Sequence, residues 1–227
     1  MSPKNTRIQE YFSVKFRRLL SGAPDGNPPW LDVIASGETG GLYLPTDAPW
    51  VVHRDFGTLV GGIRALLLQA LHPGTLAGVA QHSRYEQDAL GRLAGTIRWL
   101  TICTFGSKAA LEEESARVRQ MHERVKGKFS NNDGTERSYK ASDSDLLLWV
   151  HVAFMDSFLR AHQNYSKRPI PGGADEYIRL WAESVRPLGL EPAPLSEAEL
   201  LATLKNFDDQ LVVNEDTREV FKWLKNP

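Results

Sequence analysis

The chain has 227 residues, 27 basic and 28 acidic side chains, and one cysteine. Its length suits one large domain or two small ones with a substantial core, and its balanced charge removes the polycationic signature of a nucleic-acid binder. A lone Cys103 excludes an intramolecular disulfide and any CxxC metal or redox site, and fits a reducing compartment. The longest apolar run, "LLLWVHVAFMDSFL" (Leu146–Leu159), falls short of the ~18 residues of a membrane span and contains His151 and Asp156. The N-terminal "MSPKNTRIQEYFSVKFRRLL" lacks the apolar core of a signal peptide, so the default location is cytoplasmic. It reads as a basic amphipathic helix with Tyr11, Phe12, Phe16 and Leu19 on or near one side. That pattern describes either a packed first helix or a peripheral membrane contact.

Residues 22–50 are rich in Gly, Pro and Asp and read as an extended loop segment. "FGTLVGGIRALLLQALHP" is then an apolar helix stopped at His72-Pro73, and "GTLAGVAQHSRY" is a second, short one. "DALGRLAGTIRWLTICTFGS" predicts a helix ending near Gly106. "SKAALEEESARVRQMHERVKG" carries acids early and bases late, the order that suits the helix macrodipole, with Gly127 as its stop. "KFSNNDGTERSYKAS" reads as a polar loop. "SDSDLLLWVHVAFMDSFLRAHQNY" opens with Ser142 and Asp145 at capping-box spacing and is apolar nearly all round, hence a central buried helix. A helix broken at Pro187 follows, then one opened by Ser196 and Glu199. Strand-like alternation is scarce. The prediction is all-α: a single-domain bundle of about eight helices around a buried central helix, with residues 1–50 as lead-in and 51–227 as the main body.

Within "VRQMHERVKG", Val118, Met121, His122, Val125 and Phe129 fall on one helical stripe, which points His122 towards the core. A buried imidazole needs partners for its ring nitrogens. A carbonyl, a carboxylate, a substrate or a metal would each serve. Arg92 and Thr96 are four apart on one face, either a surface arginine beside a back-bonding threonine or a pair that donates to an anion. His72 reads as a helix-end histidine bonded to free carbonyls. His151 and His162 share a line with Leu147, Phe154 and Phe158 and read as core or boundary histidines. His82 with Glu86 has the spacing of an oriented imidazole, and Glu112, Glu113 and Glu114 read as a solvated first turn. HExxH is absent because Lys126 occupies the second histidine's place, and ExxH, CxxCH, GxSxG and a P-loop are absent as well. An inward histidine with basic neighbours also suits a b-type haem, which asks for an axial imidazole, an apolar slot and donors for its propionates. Spacing alone leaves that option beside the structural ones.

The ordered series "GGIRALLLQALHP", "GVAQHSRY", "GRLAGTIRWLTICTFGS", "RVRQMHERVKG" and "YKASDSDLLLWVHVAF" resembles the haem-dependent oxygenases of the rubber oxygenase (latex clearing protein) and MpaB type. The resemblance covers roughly residues 50–165 and extends weakly to about 224. It implies that His122 is the proximal ligand of a haem b iron and that Arg92 and Thr96 hold and orient the haem. It implies O2 and an apolar, unsaturated small molecule as partners, with oxidation or cleavage as the reaction. Two departures qualify it. Gly95 stands where rubber oxygenases have a lysine before the threonine, and no residue matches their distal glutamate, so no catalytic residue is assigned. The family also leads us to expect further helices beyond "VFKWLKNP", so the chain reads either as a shorter member or as a truncated one. The competing readings are a haem-binding protein without turnover (a sensor, carrier or degenerate relative) and a helical interaction domain without haem.

Overall fold

The computed structural model describes residues 7–21, 23–35, 40–82, 89–131 and 133–225. In chain order it contains α1 (Arg7–Ser21), α2 (Trp30–Ala35), α3 (Ala48–His53), α4 (Gly57–Leu71), α5 (Pro73–His82), α6 (Ala89–Phe105) and α7 (Lys108–Arg124). These are followed by β1 (Lys126–Ser130), β2 (Glu136–Lys140), α8 (Ser144–Tyr165), α9 (Gly173–Ala182), α10 (Glu197–Asn206) and α11 (Glu215–Lys225). Two 3-10 turns, Glu183–Leu188 and Asp208–Gln210, complete the set. The fold is predominantly all-α, with eleven α-helices among the described residues rather than about eight. The surplus comes from short helices such as α2 and α3, which occupy the segment expected to be loop.

The chain divides into two compact units, Met1–Leu42 with Arg84–Glu114, and Tyr43–Ser83 with Ser115–Pro227. In the first, α1 and α2 pack on α6. The turn after α1 is closed by Gly26 N–H to Ala23 O (2.9 Å) and by Arg17 Nε to Gly26 O (2.9 Å). Gly26 has φ +73°, and a Cβ there would lie 2.7 Å from Val14 O, so only glycine fits beneath α1. As expected, α6 stops at Gly106, whose N–H bonds Ile102 O (2.8 Å).

In the second unit α8 is the buried axis, as the sequence predicts; Trp149, Val152, Met155, Phe158 and Leu159 are at most 1% exposed. Trp149, Phe154 and Phe158 are packing residues: Trp149 sits 5.1 Å from Phe207, and Phe154 5.6 Å from Phe158, ring to ring. The helix α4 lies antiparallel on α8. Gly57 meets Ala161 and Tyr165, Gly61 meets Phe158, and Gln69 O accepts from Trp149 Nε1 (3.4 Å). Between them Asp156, 3% exposed, receives Arg64 (2.7 Å) and Arg160 (3.1 Å), and Arg160 also reaches Glu197 (2.6 Å).

Three local expectations are corrected. The polar segment after α7 is an antiparallel hairpin, β1 with β2, in the register Gly127↔Tyr139. Gly127 therefore lies in a strand and α7 ends earlier, at Arg124. Ser142 and Asp145 form no box: Asp143 is the N-cap residue of α8, and its carboxylate accepts Lys140 N–H instead (2.8 Å). At α10 the cap does form, with Ser196 Oγ accepting Glu199 N–H (3.2 Å), while Glu199 reaches back to Leu195 N–H (2.8 Å). The α9 helix yields to a 3-10 turn containing Pro187 and ends at Gly189, φ +86°.

Candidate functional site

The inward stripe of α7 runs Leu111, Glu114, Ser115, Val118 and His122. The first four are buried and His122 is half-buried. The expected stripe is thus right about His122 and wrong about Met121, which is 44% exposed. Val125 and Phe129 lie beyond the helix end. Three contacts fix where His122 sits. Its carbonyl accepts Val125 N–H (3.1 Å), closing the last turn, and Val125 O accepts Ala141 N–H (2.9 Å), tying that turn to the hairpin. Arg119, one turn earlier, donates to Pro187 O. The hairpin is itself gripped by α5: Gln81 Nε2 donates to Lys128 O (2.8 Å), His82 Nε2 to Lys126 O (2.9 Å), and Tyr139 OH to Gln81 Oε1 (3.1 Å). A Cβ on Gly127 would fall 2.2 Å from Gln81 Oε1 and 3.1 Å from the Tyr139 ring, so this grip requires glycine. His82 thus orients on the Lys126 carbonyl; Glu86 lies outside the described residues.

Arg92 and Thr96 share α6 one turn apart, in the first unit, whereas His122 belongs to the second. Thr96 is half-buried; the Arg92 side chain lies outside the described residues. Gly95 is exposed, and a Cβ built on it meets nothing within 4 Å. Further along α6, Arg98 binds Glu114 through Nε (2.9 Å) and Nη2 (2.8 Å). Glu114 is only 1% exposed, so the acidic run is not wholly solvated: Glu112 and Glu113 face water and Glu114 turns inward to a guanidinium.

The remaining buried histidines lie in the second unit. His53 bonds Tyr177 OH through Nε2 (3.1 Å) and stands 4.3 Å from the Trp181 ring. Burial, reinforced by nearby His162, pushes its pKa down to about 3. Tyr177 is pushed well up by the same burial and by Asp156. His162 donates from Nε2 to Arg168 O (2.8 Å); its Nδ1 lies 3.4 Å from Asp55 Oδ2 without a hydrogen bond between them. The ring partners of His72 are not the free carbonyls of the α4 end. Its Nδ1 accepts Gly74 N–H (3.1 Å), which leaves the proton on Nε2, facing Gln210 Oε1 (3.3 Å). It lines a cleft of about 690 Å³ with Phe129, Arg137, Asp145, Leu148 and Phe207; His122 does not. His151 is 5% exposed, burial pushes its pKa down to about 3, and its Nε2 has no hydrogen-bond partner. Ser115 Oγ, two turns before His122 on the same stripe of α7, is likewise buried without a partner. Sequence reasoning missed both orphans, because a period gives the facing of a side chain and not its partners.

A b-type haem asks for an axial imidazole and polar donors; in the second unit the half-buried His122 stands in the last turn of α7, and Ser115 Oγ, buried on the same stripe, has no hydrogen-bond partner. No group of three or more His, Cys, Asp or Glu that could hold a metal occurs among the described residues, and none of their helices is long and apolar enough to cross a membrane. A family model described as "ER-bound oxygenase mpaB/B'/Rubber oxygenase, catalytic domain" matches residues 50–227, more than half of the chain. No curated protein and no solved structure matches significantly.

Proposed function

The chain belongs to the MpaB/rubber oxygenase family, and from that premise we propose that it is a haem-b-dependent oxygenase acting on an apolar small molecule. His122 would ligate the haem iron, and Arg92 and Thr96 would hold and orient the haem through its propionates. The observation that carries the reading is the family match, which spans all three positions. The half-buried imidazole at the anchored end of α7 supports it. When bound, the haem supplies the O2 chemistry, and its substrate class is an apolar, unsaturated compound. The protein's share is to present a neutral imidazole on a fixed backbone, to pair carboxylates with Arg92 and Thr96, and to keep water from the reacting face. Gly95 provides no side chain on the face beside Thr96, so a lysine-gated, rubber-cleaving variant of the mechanism does not carry over.

The absorption spectrum of the purified protein tests the assignment. A Soret band should be present, and lost in His122→Ala while the helical signal is retained. A folded protein that stays colourless after haem reconstitution would sink the proposal. Gly95 and the unmatched distal glutamate favour one rival, a haem protein without turnover. Reducing the haem under O2 with candidate alkenes separates the two, because only an oxygenase yields oxygenated product.

A further inference from the structure

One helix surface in the second unit faces solvent with apolar side chains. Phe56, just before α4, and Val60 and Ile63 within it follow one another at i, i+4 and i+7, on one stripe. They are 76%, 42% and 53% exposed. The opposite side of α4 explains why this stripe must point outward. A Cβ on Gly61 would lie 2.9 Å from Phe158 Cδ1 and 3.0 Å from Ser157 O, so α4 is pressed onto α8 through its glycines. Tyr165, 68% exposed, stands beside the start of α4, its Cβ 3.5 Å from a Cβ built on Gly57.

This end of the helix is also cationic. Arg54, Lys167 and Arg168 are exposed there. Asp55, which lies among them, is 15% exposed and already engaged by Arg168 (3.1 Å) and Ser166. Phe56, Val60, Ile63 and Tyr165 together expose roughly 500 Å², taking a full aromatic side chain as ~150–250 Å². That is the size of a functional surface patch, but short of the ~800 Å² per partner that a stable protein pair buries. We propose that the Phe56–Val60–Ile63 face of α4, with its rim of Arg54, Lys167 and Arg168, seats on an anionic bilayer surface. The aromatic and branched side chains enter the headgroup boundary, and the cations meet lipid phosphates and carboxylates. The proposal does not depend on haem binding and is read out without it.

The test is flotation of the full chain with vesicles of phosphatidylcholine alone and of phosphatidylcholine with phosphatidylserine, with solution mass measured by light scattering. Wild type should float with the anionic vesicles, less so at high salt. Phe56→Ser/Ile63→Ser should weaken apparent vesicle affinity by about tenfold. Arg54→Glu/Lys167→Glu should lose roughly fivefold per cation, on anionic vesicles only. This charge pair leaves every apolar contact intact, so it decides the matter should the first pair misfold. The exposed aromatics of α1 are the internal control: Phe12→Ser/Phe16→Ser should leave flotation unchanged. The proposal is overturned if wild type does not float, if the α4 variants float as wild type does, or if only the α1 variant loses binding. A wild-type dimer that becomes monomeric in Phe56→Ser/Ile63→Ser would assign the face to a second copy and overturn it equally.

Discussion

Replacing His151 by leucine should remove one histidine contribution to the acid sensitivity of the fold, while that of His53 remains. The His151 imidazole is 5% exposed, its Nε2 has no partner, and burial pushes its pKa down to about 3 from 6.5. The unfolded chain therefore binds a proton that the folded chain refuses. With the folded value lowered, the stability linked to this group is complete above pH 6.5 and is lost as pH falls towards 3. At pH 5 the gap of about 1.5 pH units corresponds to about 2 kcal/mol, and at pH 7.5 to almost nothing. For a chain of this length that is a midpoint change of about 4–8 °C. Thermal or urea unfolding of wild type and His151→Leu at pH 7.5, 6 and 5 would measure it. At pH 7.5 the variant should be no less stable than wild type, since an unsatisfied buried nitrogen is removed and an apolar side chain of similar volume takes its place. The difference should then grow by about 2 kcal/mol at pH 5. Parallel stability–pH curves would refute the reasoning, because they would mean that the nitrogen finds water or a partner in the folded state.

Other perturbations test the scaffold. Gly61→Ala sets a Cβ 2.9 Å from Phe158 and 3.0 Å from the Ser157 carbonyl, so urea unfolding should show a loss of about 1–3 kcal/mol, as for other overpacked sites. Asp156→Asn leaves Arg64 and Arg160 facing a neutral amide; both guanidiniums reach solvent, so the expected loss is about 2 kcal/mol rather than the 3–5 of a fully buried pair. Gly95→Lys meets open space on a helix and should stabilise the fold by the ~0.5–1 kcal/mol that glycine costs there, read as a higher melting midpoint. In the haem-loaded protein it should also shift the Soret band if the lysine reaches the iron; an unchanged spectrum would place that face away from the metal.

The helices were legible where a single face decides them. The Ser196 cap, the Gly106 stop and the apolar girth of α8 each rest on local chemistry, and each is present. The hairpin was not legible. Its strands alternate too weakly to announce themselves, and what forms them is the grip of Gln81 and His82, more than forty residues earlier. Gly127 misled for the same reason: it looked like a helix stop and is instead a close approach to Tyr139. Glu114 was misread because a run of three acids hides which one turns inward to Arg98. Asp156 inside an apolar run was the visible trace of the Arg64–Arg160 network, since an isolated charge on a buried helix needs cations. Of the site, the inward set of His122 came from periodicity, while the haem role proposed for it came only from the ordered motifs.

The anchoring of α7 bears on how a ligand would be captured. The turn after His122 is tied to the hairpin, the hairpin to α5, and Arg119 to the Pro187 carbonyl. The imidazole therefore hangs from a backbone already ordered, so that what capture has to settle is side chain rather than main chain. Fixing one such side chain costs about 0.5–1.5 kcal/mol, against about 1–2 kcal/mol per residue for ordering a loose loop. Capture at His122 should accordingly proceed as docking onto a preformed helix end rather than as folding coupled to binding, with little change in far-UV signal and no concentration-dependent folding step.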